Sequence, residues 1–207
     1  VLSREERTEA LRLARRAIDR ALAPTAEPDP DAGEGREASA EVFREKRGVF
    51  VTLKHYPDDE LRGCIGYPLP VLPLVTALTR AAVAAATDDP RFRPIRAAEL
   101  PHLRIEVSVL TVPTQIHESR PEAVPASIVV GRDGLIVEGF GTSGLLLPQV
   151  APEQGWTAEE FLAGTCEKAG LPRGAWRRPE VTIRRFEAEV FGERSPGGEL
   201  AEEVPRA

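Results

Sequence analysis

The apolar residues change period along the chain, and this restricts the fold more than any other feature. Leu11, Ala14, Ile18 and Leu22 recur at the spacing of one helix face, with Leu13, Ala17 and Ala21 beside them. Ile105, Val107, Val109 and Thr111 instead alternate with Arg104, Glu106, Ser108 and Leu110, which is strand spacing. A chain that interleaves both periods must build its core from helices packed on a sheet. Hairpin signals further along add antiparallel pairing. The expected fold is α+β, with a mixed or mostly antiparallel sheet packed by helices.

The first helix is read over residues 3–22, opened by the capping-box pair Ser3 and Glu6. Its far side carries Arg12, Arg16, Asp19 and Arg20, the pattern of a solvated face. Residues 23–40 place Pro24, Pro28, Pro30, Gly33 and Gly35 among acids and alanines, too polar to bury, and read as a flexible loop. The β-branched and aromatic run 48–53 predicts a strand. Polar residues 54–60 then form a turn into a loop around Cys64. A second helix is expected over 71–86, with Pro73 in its first turn and Leu74, Val75, Leu78, Ala82 and Ala85 as the buried stripe. Asp88-Asp89-Pro90 stops it.

Further on, Gly131-Arg132-Asp133-Gly134 between 127–130 and 135–138 reads as a hairpin. Gly139 to Gly144 is a second glycine-rich connection. Thr157 and Glu160 open a third helix whose core face is Phe161, Leu162, Thr165, Cys166 and Ala169, with Gly170 as its stop. A last strand is expected over 181–191, with a bulge near Arg184-Arg185 where the apolar phase slips. The domain thus spans 1–192, followed by a frayed tail at 193–207.

Composition narrows the function classes. The chain is 42% hydrophobic and 29% charged, ordinary globular values, with a net charge of −6. It lacks the strongly basic footprint of a non-specific nucleic-acid binder. Cys64 and Cys166 are too few for a disulfide scaffold, and no signal-peptide pattern opens the chain, so a cytoplasmic location is expected. No apolar run is long enough to span a bilayer. No C-x-x-C, H-x-x-x-H or EF-hand spacing occurs, so no metal site is assigned and no cofactor is named. Gly139-x-Gly141-x-x-Gly144 satisfies a dinucleotide fingerprint in letters only, because Leu145-Leu146-Leu147-Pro148 follows where a helix should start.

The segment Leu61-Arg62-Gly63-Cys64-Ile65-Gly66 is the leading candidate for chemistry. Gly63 and Gly66 free the backbone and admit close approach. Arg62 can grip a carboxylate or phosphate, and a guanidinium nearby favours thiolate. The other reading is a buried cysteine in a tight turn, and local sequence leaves both open. His55, His102 and His117 are candidate bases for a thiol nucleophile. Asp89-Pro90-Arg91-Phe92 is either a ligand-binding turn or a salt-bridged corner anchored by Phe92. Glu106 projects away from the aliphatic row of its strand and is a candidate acid or base.

These segments resemble, in order, the AMMECR-type domain: Leu61 to Gly66, Asp89 to Phe92, Ile105 to Leu110, Gly131 to Leu135 and Leu146-Leu147-Pro148-Gln149-Val150. The resemblance covers residues from about 5 to about 192. It implies a two-lobed α+β unit with a cleft between the lobes and the LRGCIG segment at the functional surface. It also implies association with Memo-like and radical SAM proteins. It implies no defined reaction, although nucleotide or nucleic-acid modification has been suggested for the system.

Two readings therefore lead. In the first, Cys64 is a thiolate nucleophile or group carrier, Glu106 or a histidine moves protons, and Arg62 holds an anionic group. In the second, the chain is a non-catalytic subunit that recognises a partner or a small anionic ligand through Arg62, Gly63 and Gly66, with Asp89 and Arg91 beside them. Nucleic-acid binding through Arg91, Arg93 and Arg96 ranks third, because the chain is acidic. The sequence assigns no oligomeric state.

Overall fold

A computed structural model describes residues 1–23 and 40–201; the expected loop at 23–40 lies, but for its end residues, outside the described residues. The elements in chain order are α1 (Arg4–Leu22), β1 (Val49–His55), β2 (Leu61–Tyr67), α2 (Leu74–Thr87), β3 (Leu103–Leu110) and β4 (Thr114–Gln115). They continue with β5 (Asp133–Gly139), β6 (Thr142–Leu146), α3 (Val150–Gln154), α4 (Ala158–Lys168) and β7 (Thr182–Gly192). The fold is α+β, and every strand pairing described is antiparallel. The chain divides into two compact units, Val1–Val109 with Glu189–Ala207, and Leu110–Ala188.

In the first unit β1 is the central strand, with β2 on one side and β3 on the other. Strand alternation sorts its residues: Val49, Val51 and Leu53 are fully buried, whereas Phe50, Thr52 and Lys54 face the opposite way and are half-buried. The buried row meets α2, whose Leu74, Val75, Leu78, Ala82 and Ala85 form the stripe expected from sequence. Ala10, Leu11, Ala14 and Ile18 of α1 join the same core. The capping box at Ser3 and Glu6 closes reciprocally, as its spacing predicts.

The second unit has its own core, in which Phe161, Leu162 and Cys166 of α4 pack with Leu135 and Val137 of β5. The Thr157–Glu160 capping box forms, and Gly170 takes a left-handed φ of 73° just past α4.

Several expectations are corrected. The segment around Cys64 is the strand β2, not a loop: Gly63 and Gly66 lack the positive φ of a turn and serve instead as points of close approach. The hairpin lies one connection later than expected. Residues 121–127 form a 3₁₀ turn, and Asp133 closes the Val129–Asp133 turn by accepting the Val129 N–H at 2.9 Å. The tight turn is Phe140-Gly141, both at positive φ (53° and 79°), joining β5 to β6.

No bulge occurs at Arg184-Arg185, because β7 pairs with β5 in unbroken register from Thr182 to Glu187. The apolar phase slips there because Ile183 belongs to the second core, while the Phe186 ring covers Gly134 with the opposite parity. The bulge falls in β2, where Arg62 is the extra residue between Gly63, opposite Leu53, and Leu61, opposite Lys54. Finally, the frayed tail expected from 193 is folded through 201. Glu193 is 3% exposed, Arg194 N–H donates to the Glu199 carbonyl, and Leu200 joins the first core.

Candidate functional site

Antiparallel register puts directly opposed residues on one face of a sheet. Thr52 of β1 lies opposite Cys64 on one side and Glu106 on the other. Cys64, Thr52 and Glu106 therefore form a row across three strands, on the face turned away from α2. The Thr52 hydroxyl donates to the Cys64 sulfur at 3.3 Å. Glu106 accepts from Lys54 Nζ at 2.9 Å, a diagonal pair whose side chains are only 14% and 18% exposed. Strand spacing puts the Cys64 and Glu106 backbones about 10 Å apart, so a proton passing between them goes through Thr52 or a water.

β2 is an edge strand in the first unit, and its outer backbone groups need partners. The Asp89–Phe92 corner supplies them. Cys64 N–H donates to Asp89 Oδ2 at 2.8 Å, and Arg91 Nη2 donates to the Cys64 carbonyl at 3.4 Å. Asp89 is buried, and the other bonds to its carboxylate come from Arg91: the backbone N–H at 3.0 Å, Nε at 3.0 Å and Nη2 at 2.7 Å. The Arg91 guanidinium, with help from the Cys64 N–H, holds the Asp89 carboxyl far below the usual carboxylate range, although burial opposes this. The same contact raises the Arg91 pKa.

Arg62, the extra residue of the bulge, turns to Glu99. Its Nε and Nη2 donate to Glu99 Oε2 at 3.2 and 3.1 Å, and its guanidinium stands 5.9 Å from the Phe92 ring centre. Arg91 approaches the same ring at 5.5 Å. Phe92 is thus the apolar anchor between two arginines. Gly63 lets α2 come close, since a Cβ there would lie 2.1 Å from the Ala85 carbonyl oxygen. Gly66 lies under the Phe50 ring, where a Cβ would sit 2.3 Å from the nearest ring carbon.

The histidines separate. His55 ends β1 opposite Leu103, which brings it next to His102. Both line a pocket of about 520 Å³ with Arg62, Arg93, Pro94, Arg96, Ala98 and Glu99. His117 belongs to the second unit. Cys166 is fully buried on α4, and burial pushes its thiol pKa up. Among the described residues no three His, Cys, Asp or Glu side chains gather as a metal site would require, and no helix is long and apolar enough to cross a membrane.

Sequence reasoning missed Thr52 and Lys54. The alternation of 49–54 already placed them on the face away from the aliphatic row, but only the register revealed Cys64 and Glu106 as their neighbours.

The AMMECR1 family model matches residues 11–191. Protein MJ0810 of Methanocaldococcus jannaschii is 48% identical over 98% of this chain and 97% of its own length. Protein MK0488 of Methanopyrus kandleri is 48% identical over 97% and 95%. The crystal structure of the uncharacterized protein PH0010 from Pyrococcus horikoshii superposes with a TM-score of 0.79 at 47% identity, covering 99% of both chains.

Proposed function

This chain belongs to the AMMECR1 family, and from that premise we propose that it is a catalytic component working through the Cys64 thiol, in company with Memo-like and radical SAM partners. One observation supports the reading: the in-register row Cys64–Thr52–Glu106, tied to Lys54, sets a thiol, a hydroxyl and an ion-paired carboxylate side by side on one sheet face. The thiolate attacks an electrophilic carbon of an acyl or alkyl group. The S–C bond forms as the bond to the leaving group breaks, and Glu106 takes the thiol proton by way of water and returns it to the leaving group, while the Thr52 hydroxyl, donating to the sulfur, stabilises the thiolate. Nucleotide or nucleic-acid modification is the substrate class proposed with it.

Iodoacetamide labelling of the folded protein, read by mass spectrometry, tests this. Cys64 is expected to react near neutral pH, and Cys166 only after denaturation. Thr52→Val is expected to change the Cys64 labelling rate several-fold. A Cys64 that resists labelling in the folded chain removes the nucleophile.

A binding role for Arg62 to Gly66 is the second reading. It draws on the saturated backbone of Cys64, whose N–H and C=O are both held by the Asp89–Arg91 pair. Such a strand presents a fixed surface rather than a moving catalytic loop. Under this reading Cys64→Ser keeps binding to a Memo-like partner and Arg62→Ala loses it. The opposite pattern in a pull-down favours the thiol.

A further inference from the structure

We propose that the pocket beside Arg62 is a binding site for the phosphate group of a small molecule, separate from the thiol row and independent of its chemistry. Its polar lining is His55, Arg62, Arg93, Arg96, Glu99 and His102. Three arginines and one acid thus line the pocket, in a chain whose net charge is −6. Glu99 is already committed, accepting from Arg62 through Oε2 and from the Arg96 N–H through Oε1 at 2.9 Å. Burial pushes its carboxyl up, but the Arg96 N–H, Arg62 and His55 outweigh that and hold it below the usual value. Among the described residues no acid pairs with the guanidinium of Arg93 or Arg96. With Arg62 paired to Glu99, Arg93 and Arg96 are, among the described residues, the two lining cations without an acidic partner, and a bound anion would supply one.

The lining is held in place. Ile95, between the arginines, is 3% exposed and its N–H donates to the Ala86 carbonyl at the end of α2 at 2.9 Å. Phe92 N–H donates to Asp89 O and Glu99 N–H to Arg96 O, so the 89–99 segment is braced along its length. His102 is braced too, its carbonyl accepting the Tyr56 N–H at 2.9 Å. Such bracing lowers the ordering cost of binding. The chemistry of the donors selects the ligand: guanidinium forks and imidazole N–H groups match a tetrahedral, doubly charged oxyanion. A volume of about 520 Å³ leaves room for the organic part of a phosphomonoester.

The test is titration of the full chain with inorganic phosphate at constant ionic strength set by sodium chloride. Histidine ring resonances and the thermal midpoint are followed. His55 and His102 are expected to shift saturably while His117 stays still, and the midpoint is expected to rise. Arg93→Gln with Arg96→Gln, both at exposed positions, is expected to weaken the apparent Kd tenfold or more without loss of fold. Cys64→Ser is expected to titrate like the wild type. Histidine shifts no larger than chloride alone produces overturn the proposal, as does undiminished binding in the double variant. A short oligonucleotide that binds far more tightly than phosphate, with steep loss of affinity in salt, also overturns it in favour of a nucleic-acid backbone.

Discussion

Gly63 and Asp89 show how single residues fix the Cys64 strand. At Gly63 an added Cβ would meet the Ala85 carbonyl oxygen at 2.1 Å, backbone against backbone, so neither side can yield by a rotamer change. Gly63→Ala is expected to push β2 off α2 and cost about 1–3 kcal/mol, read as a lower urea midpoint. Asp89 acts through charge. Asp89→Asn is expected to cost about 2 kcal/mol at neutral pH, because hydrogen bonds to charged groups are lost. Its carboxyl is held below its unfolded value by Arg91, so its contribution is complete above the unfolded pKa and fades as pH falls toward the folded one. The stability gap between wild type and Asp89→Asn is therefore expected to hold down to about pH 4 and to narrow below it, measured by denaturant titration at a series of pH values.

At the level of elements, the three long helices were the legible part, whereas the short α3 was not read from sequence and Pro73 caps α2 rather than lying inside its first turn. Ser3 with Glu6 and Thr157 with Glu160 are local signals that need no partner elsewhere, and both close as capping boxes. Ser3→Ala and Thr157→Ala are each expected to cost about 1 kcal/mol, with faster amide exchange confined to the first turn of α1 or α4. Strands depend on neighbours, and there the sequence misleads. Arg62-Gly63-Cys64-Ile65-Gly66 has the composition of a loop, yet it pairs along β1 because its glycines admit Ala85 and Phe50. Asp133-Gly134 has the letters of a tight turn, but the Asp133 carboxylate is spent on Val129 N–H and Arg132, and Phe140-Gly141 turns the chain instead. The candidate site was legible as a set of residues and not as an arrangement. Cys64, Asp89, Arg91 and Glu106 were marked from sequence, whereas the row through Thr52, the capping of the β2 edge and the turning away of Arg62 toward Glu99 all depend on register and on one bulge.

On the scale of the molecule, the second unit interrupts the first, which the chain leaves after Val109 and rejoins at Glu189. The returning segment completes the first unit. Leu2 N–H donates to Glu189 and Arg15 pairs with buried Glu193, contacts 187 and 178 positions apart in sequence. Glu193 also accepts the Ile105 N–H at 2.9 Å, and Phe191 and Leu200 add to the core. Glu193→Ala is expected to cost about 3–5 kcal/mol, since it strands a partly buried guanidinium and an amide. A chain ending at Ala188 is expected to lose the cooperative unfolding of the first unit, followed by hydrogen exchange in β1 and β3, while β5 and α4 keep their protection. The same threading sets a clock on synthesis. At about 5–20 residues per second, the ribosome needs roughly 10–40 s after making α1 before it delivers the acid that Arg15 awaits. For that interval α2, which leaves the ribosome far sooner, already offers cover to the apolar stripe of α1, so the first lobe gathers on apolar contact while its buried ion pair is still missing.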